Sequence, residues 1–329
     1  MINFHPLQIT KSAIKYLIQK NRKFQTKRIL GLNNKNRFFY PYNTCKSSRK
    51  YSIISAVYRV EKYLDEMLSS LLLQTLDFKS SIQVILVDDG SDDGSTQICK
   101  EWASRYPDNI IYLHKENGGQ ASARNYGLAY ATGDWVTFID PDDLLDKNYF
   151  LEVDKALNIT SNESNLHIIS CNFIYYYEDK YYLSNSHPLR YRFNQGQRRV
   201  NFDEHSNDIQ LSVSSAFFNH KNLLEAGTKF INVKPNAEDM HFVAKYLLNF
   251  SNPEVLFVPE SKYWYRKRAD NTSALDTSWS HKGQYSDVLK DACLDLLNTL
   301  GKGTKTTPRW LQRTILYHLI KVLDRKSVV

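Results

Sequence analysis

The stretch WVTFIDPDDLL (135–145) decides the fold. It opens on bulky, β-branched and aromatic residues, the composition of a buried strand. It then runs straight into Asp140, Asp142 and Asp143, interrupted only by Pro141. Carboxylates are costly to bury unless something pairs them, so such a strand presents charge beyond its carboxyl end. Asp140 and Asp142 lie two apart, and in extended chain both project to one side. Taken alone, this would be an ordinary acidic turn; its neighbours change the reading.

Upstream, YSIISAVY (51–58), IQVILVDDGS (82–91) and NIIYLHKENGG (109–119) read as further strands. Between them EKYLDEMLSSLLLQTL (61–76), TQICKEWASRYP (96–107) and QASARNYGLAYATG (120–133) have helical periodicity. This β-α alternation predicts an α/β fold: a parallel, Rossmann-like sheet covered by helices. In such sheets ligands bind beyond the carboxyl ends of the strands. The polar clusters fall there: Asp88-Asp89, Asn117-Gly118-Gly119 and Asp140-Pro141-Asp142.

Downstream the pattern is less regular. HIISCNFIYYYEDKYYLS (167–184) predicts a hairpin turning near Glu178-Asp179-Lys180, and NAEDMHFVAKYLLNF (236–250) a helix with acids in its first turn. KYWYRKRADNTSA (262–274) begins as a strand and becomes a loop; 285–300 and 308–324 read as terminal helices. Tyr175, Tyr176 and Tyr177 could stack on sugar rings, but tyrosine is also a good strand former, and that is the preferred reading.

Charge is divided unevenly. Residues 1–50 hold 12 Lys or Arg and no acid, leaving 31 basic against 35 acidic residues in the remainder. The basicity belongs to an arm, which argues against nucleic acid as partner, since a binding body carries its charge on the fold. Within the arm, ITKSAIKYLIQKNRKF (9–24) sets Ile14, Leu17 and Ile18 on one helical face among cations, a pattern suited to an anionic membrane surface. No apolar run approaches the ~20 residues of a membrane span. The four cysteines, Cys45, Cys99, Cys171 and Cys293, have no CxxC spacing and read as reduced thiols of a cytoplasmic protein.

Several chemistries are set aside. No GxGxxG follows a strand, and GKGTKT (301–306) follows a helix without the upstream glycine of a phosphate loop. DGSDDG (89–94) begins like a calcium loop, but its twelfth position is Lys100 instead of a bidentate Glu. No hydrolase triad signature is visible.

Taken together, SAVYRVEKYLDEMLSSLLLQTL, VILVDDGSDDGS, ENGGQASARNYGLAYATGDWVTFIDPDD and AEDMHF resemble the family-2 inverting glycosyltransferases of GT-A fold. One departure is visible: the family's Pro-x-Tyr-Asn after the first strand is here Ala56-Val57-Tyr58-Arg59.

The resemblance implies a GT-A domain over 51–280, preceded by the basic helical arm over 1–50 and followed by C-terminal helices over 281–329. Within the domain, 51–145 would be the nucleotide-binding half and 146–280 the acceptor half. It implies a nucleotide-sugar donor, a UDP-sugar in particular, with Tyr58 facing the base and Asp88 and Asp89 accepting from uracil or ribose. Asn117, Gly118 and Gly119 would let backbone approach the nucleotide, with Arg124 steadying it. Asp140 would take the ribose or a metal, and Asp142, with His281, would complete the shell of a divalent cation, Mn or Mg. Arg266 or Arg268 would neutralise the diphosphate. Of Glu238 and Asp239, the aspartate is the expected general base. The acceptor would be a glycan or polyol phosphate of a capsule or teichoic-acid polymer. The tail PRWLQRTILYHLIKVLDRKSVV resembles the connector in such polymerases, so the chain reads as part of a longer enzyme, peripheral at the inner face of the membrane.

Two other readings remain: a nucleotidyltransferase, which would need a second metal-binding acid and gives no reason for Glu238-Asp239, and an inactive nucleotide-sugar or membrane-binding module, against which intact Asp140, Asp142 and Asp239 argue.

Overall fold

The computed structural model describes residues 44–233, 235–270, 278, 280–300 and 306–326. The amphipathic segment 9–24 and all but the last residue of GKGTKT lie outside the described residues.

Strands β1 (Tyr51–Val57), β2 (Ile82–Asp88), β3 (Ile110–His114) and β4 (Trp135–Phe138) form the expected parallel sheet in the order β3-β2-β1-β4. Helices α1 (Leu64–Leu72), α2 (Ser95–Arg105) and α3 (Gln120–Leu128) connect them. The strands are buried on both faces because successive side chains alternate. Ile53, Val84 and Leu86 enter one core with Leu64, Leu68 and Trp102. Ile54, Ile85 and Val87 enter the other, with Ala123, Phe138 and Phe242.

The second half extends the same sheet: β9 (Ala216–Asn219), β6 (Leu166–Tyr177), β10 (Glu254–Lys267) and the short β5 (Leu144–Leu145) follow β4 in that order. β7 (Tyr182–Ser184) pairs with β6 as the expected hairpin, and β8 (Arg198–Asn201) pairs with β10. β9 joins the halves, running antiparallel to both β4 and β6. β10 begins eight residues before the predicted strand at 262, because Pro259 sits at a register shift between Val258 and Lys262. A proline cannot donate to the ladder and marks a bulge inside a strand.

The remaining helices used below are α4 (Tyr149–Asn158), α5 (His220–Ala226), α6 (Glu238–Leu247) and α7 (Arg309–Lys326). In place of one regular helix over 285–300, the chain is π-helical over Val288–Leu294 and α-helical over Asp295–Thr299. All four cysteines are free thiols. No helix among the described residues is long and apolar enough to cross a membrane.

Candidate active site

The polar clusters do gather at the carboxyl ends of β1 to β4, but several of their side chains are turned inward. Tyr58, just past β1, is 40% exposed, with the Arg59 guanidinium 5.1 Å from its ring. Asp88 is fully buried. It accepts from the Ser91 amide (2.9 Å), the Thr96 hydroxyl (2.5 Å) and the Tyr112 hydroxyl (3.2 Å). Burial pushes its pKa up, but the bonds from Thr96 and Ser91 outweigh this and hold the carboxyl below its usual range.

Asp89 closes the neighbouring loop. Its Oδ1 accepts from Lys115 Nζ (2.7 Å) and the Gly118 amide (3.0 Å), its Oδ2 from the Gly119 amide (2.8 Å). Asn117 Nδ2 donates back to the Asp89 carbonyl at 3.0 Å. The turn needs both glycines. Gly119 sits at φ +86°, where only glycine is unstrained. A Cβ on Gly118 would meet Lys115 Nζ at 2.8 Å and Ser122 Oγ at 2.9 Å. In this structure Asp88 and Asp89, expected at the nucleotide, hold together the loops at the ends of β2 and β3. Backbone donors of those loops need a buried acceptor, and these carboxylates supply it.

Arg124, on α3, is also redirected. Its side chain is only 3% exposed, and it spans two carboxylates: Nη2 to Asp140 Oδ1 at 2.8 Å and Nη1 to Asp239 Oδ1 at 2.6 Å. A guanidinium this deep must be paired, and these two carboxylates pair it. Burial disfavours its charge, but Asp239, Asp140 and Glu238 outweigh this and hold its pKa above the usual value.

The other oxygens close a ring. Asp140 Oδ2 accepts from the Ser214 hydroxyl (3.0 Å), and Asp239 Oδ2 from the amide of the adjacent Val213 (3.1 Å). Gln120, one helical turn before Arg124, also donates to Asp140 (3.1 Å). Asp140 and Asp239 are thus brought together across the two halves, each still partly exposed, 23% and 28%. Ser214 and Val213 lie in LSVSSAFFN, which carries no sequence signal for this role; Gln120 did carry one, since residues i and i+4 share a helix face.

Glu238 opens α6 beside Asp239. The preceding Ala237 holds φ +94°, a left-handed conformation costly for a residue with a Cβ. Glu238 Oε2 is buried with no hydrogen-bond partner. Burial, then the nearby Asp239 charge, raises its carboxyl to about 7, with Arg124 opposing.

The end of β4 continues to Asp142 and Asp143. Asp142 Oδ2 accepts from Arg268 Nε (2.9 Å) and Nη2 (2.6 Å), and among the described residues no hydrogen bond falls on Oδ1. Asp143 is buried, accepting from the Tyr263 hydroxyl (2.6 Å) and the Arg266 amide (2.7 Å). Burial, with Asp142 and Asp140 close by, holds it well above the carboxylate range.

Arg266, expected at the diphosphate, is turned inward in this structure. Its side chain is fully buried, paired with Glu66 at 2.9 Å and Glu178 at 3.5 Å. Arg268, the other arginine expected at the diphosphate, is 18% exposed and pairs with Asp142 at 2.6 Å.

His281 is exposed and caps the short turn Lys282–Tyr285. Among the described residues no three His, Cys, Asp or Glu side chains gather as a metal group. The Asp140 oxygens accept from Arg124, Gln120 and Ser214. Asp142 Oδ1 accepts no hydrogen bond among the described residues. One such oxygen fits a hard cation of the Mg²⁺ or Mn²⁺ kind, which takes one or two carboxylates and completes its shell from substrate phosphates.

The chain is similar to known proteins in both sequence and fold. The model of "Glycosyl transferase family 2" matches residues 52–221. Two relatives from Bacillus subtilis (strain 168) are minor teichoic acid biosynthesis proteins. GgaB is 34% identical over 269 residues, 82% of this chain and 29% of GgaB. GgaA is 32% identical over 272 residues, 82% of this chain and 58% of GgaA. The chain thus spans well under two thirds of either relative. In fold it is similar to S. aureus TarS 1-349 in complex with UDP-GlcNAc, with TM-score 0.63 and 21% identity over 82% of this chain and 71% of that one. It is also similar to the mannosyltransferase PcManGT from Pyrobaculum calidifontis in complex with GDP-Man and Mn2+, with TM-score 0.56 and 16% identity over 93% and 78%.

Proposed function

The chain belongs to glycosyltransferase family 2, with the GT-A fold, and from that premise we propose that it transfers a sugar from a UDP-sugar, with inversion, to a phosphodiester-linked envelope polymer of the teichoic-acid class. The UDP donor is supported by the fold's likeness to TarS bound to UDP-GlcNAc, the acceptor by the relatives GgaB and GgaA. The observation that carries the reading is the bridge through Arg124. It sets a carboxylate from the donor half, Asp140, and one from the acceptor half, Asp239, on a single cation.

The proposed step is a single displacement. The acceptor hydroxyl oxygen attacks the anomeric carbon while its proton passes to Asp239. The bond from that carbon to the diphosphate breaks, and UDP leaves with the electron pair. Asp239 is partly exposed and fixed by two bonds, which suits a group that must meet a proton at one point. Tyr58 supplies an exposed ring for the base, while Asp89 and the Asn117-Gly118-Gly119 turn shape the loop beside it. Asp142 would hold the divalent cation, with Arg268 turning from it to the diphosphate. The cation supplies charge neutralisation at the leaving group.

One observation favours Glu238 as the base instead: its carboxyl, raised to about 7, matches proton transfer near neutral pH. The test is product release from a panel of UDP-sugars with Mn²⁺, with and without a poly(glycerol phosphate) acceptor. UDP-sugar that is neither bound nor hydrolysed in any combination overturns the proposal.

A further inference from the structure

The tyrosines of β6 have a placement that strand propensity does not account for. β6 and β10 pair in register, with Phe173 opposite Tyr263, Tyr265 opposite Tyr175 and Lys267 opposite Tyr177. Alternation therefore collects these side chains on one face of the sheet. Phe173 stacks on Tyr263 (5.8 Å) and Tyr265 (5.1 Å), Tyr175 meets Tyr265 (6.1 Å), and Tyr177 meets Tyr175 (6.3 Å). On β7, Tyr182 lies parallel to Tyr177, centroids 4.9 Å apart and 5° between planes, and is 44% exposed.

The inner end of this ladder lies at the candidate active site. The Tyr263 hydroxyl donates to Asp143 and accepts from the Asp140 amide at 3.3 Å. From Phe173 to Tyr177 the strand rises roughly 13 Å, the length of a short oligosaccharide. A cation also stands over the face. Lys267 Nζ stands 5.3 Å from the Tyr175 centroid and 5.2 Å from that of Tyr265. His187, against Phe173 at 4.8 Å, is lowered to about 3 by burial and then by Arg192, Lys321 and Lys267.

We propose that the accessible part of this ladder, from Tyr265 and Tyr175 out to Tyr182 with Lys267 over it and the fully buried Tyr263 anchoring its inner end, binds the acceptor chain, a carbohydrate or polyol polymer carrying phosphodiesters. Ring faces take the C–H faces of the sugar or polyol, and the ammonium takes a phosphate as a point charge. The inference rests on the proposed transfer to such a polymer, and it extends that reading from the reaction centre to the track that delivers the acceptor.

The test is direct binding, which requires no turnover. A short synthetic poly(glycerol phosphate) and a neutral glucan of equal length are titrated calorimetrically into the full chain, with UDP affinity measured on the same samples. The charged chain is expected to bind, more weakly as salt rises. Lys267→Gln and Tyr182→Ala should each weaken it roughly 5-fold, while Tyr182→Phe, which keeps the ring, binds like the parent. Three results overturn the proposal: no binding of the charged chain, equal binding of the neutral one, or unchanged binding in both weakened variants. A failed donor reading shows separately, as absent UDP binding in the parent protein.

Discussion

Arg124 and Asp239 form a 2.6 Å ion pair whose second arm reaches Asp140 at 2.8 Å, so one buried guanidinium joins the first helix-covered half of the sheet to the second. Removing the cation leaves two carboxylates facing each other with no counter-charge. Breaking a buried pair from one side costs about 3–5 kcal/mol. Because both aspartates are partly exposed, Arg124→Met should fall near the lower bound, read as a reduced urea midpoint with unchanged slope.

Replacing the proposed base acts on the transition state and not on the donor. Asp239→Asn is expected to lower kcat by roughly 10²-fold or more with UDP-sugar affinity nearly unchanged. Transfer within a few-fold of the parent would move the role to Glu238.

Asp142 offers a test of the metal. Asp142→Asn should weaken UDP binding strongly when Mn²⁺ is present and little in chelator. Equal binding with and without the ion in the parent protein would remove Asp142 as a ligand.

Glu238 gives a pH dependence with a definite sign. Its folded pKa, about 7, lies above its ordinary value. The folded state therefore holds the proton more tightly than the unfolded chain, and the associated stability is complete at acid pH and lost as pH rises through neutrality. Glu238→Gln has no such loss, so its melting temperature relative to the parent should rise between about pH 5 and pH 8. A difference independent of pH would contradict the shift.

The basic arm can be tested without structural detail. Removing residues 1–43 should abolish sedimentation with anionic vesicles at low salt, since each cation near such a surface contributes about 1 kcal/mol. Transfer to a short soluble acceptor should survive the truncation. If the full chain never sediments, attachment to the membrane is excluded.

The strand ends were legible because burial on both faces leaves a clear mark: apolar runs that stop abruptly at Asp88, His114 and Asp140. What those acids do was less so. Whether a carboxylate faces a ligand or folds its own loop depends on where amide donors fall, and the amides of Gly118 and Gly119 are invisible as donors in a sequence. Arg266 read as a phosphate ligand because its partners, Glu66 and Glu178, lie far away along the chain. The ring through Ser214 was hidden for the same reason. β8 and β9 are four residues each, too short for a period to show.

β10 carries a last consequence. Beyond its register shift at Val258 and Lys262, odd and even positions divide the labour: Arg266 and Arg268 turn toward Asp142, Tyr265 and Lys267 toward the aromatic ladder. A strand's period is two residues, so a single insertion or deletion between Lys262 and Tyr265 would exchange the two sets at once. Lys267 would meet Asp142, and Arg268 would stand over the tyrosines. Both faces would still be positive and the sheet could still pair, yet each cation would address the other's substrate. A loop can absorb a change of length, but this stretch of strand works as a ruler that tolerates changes only in twos.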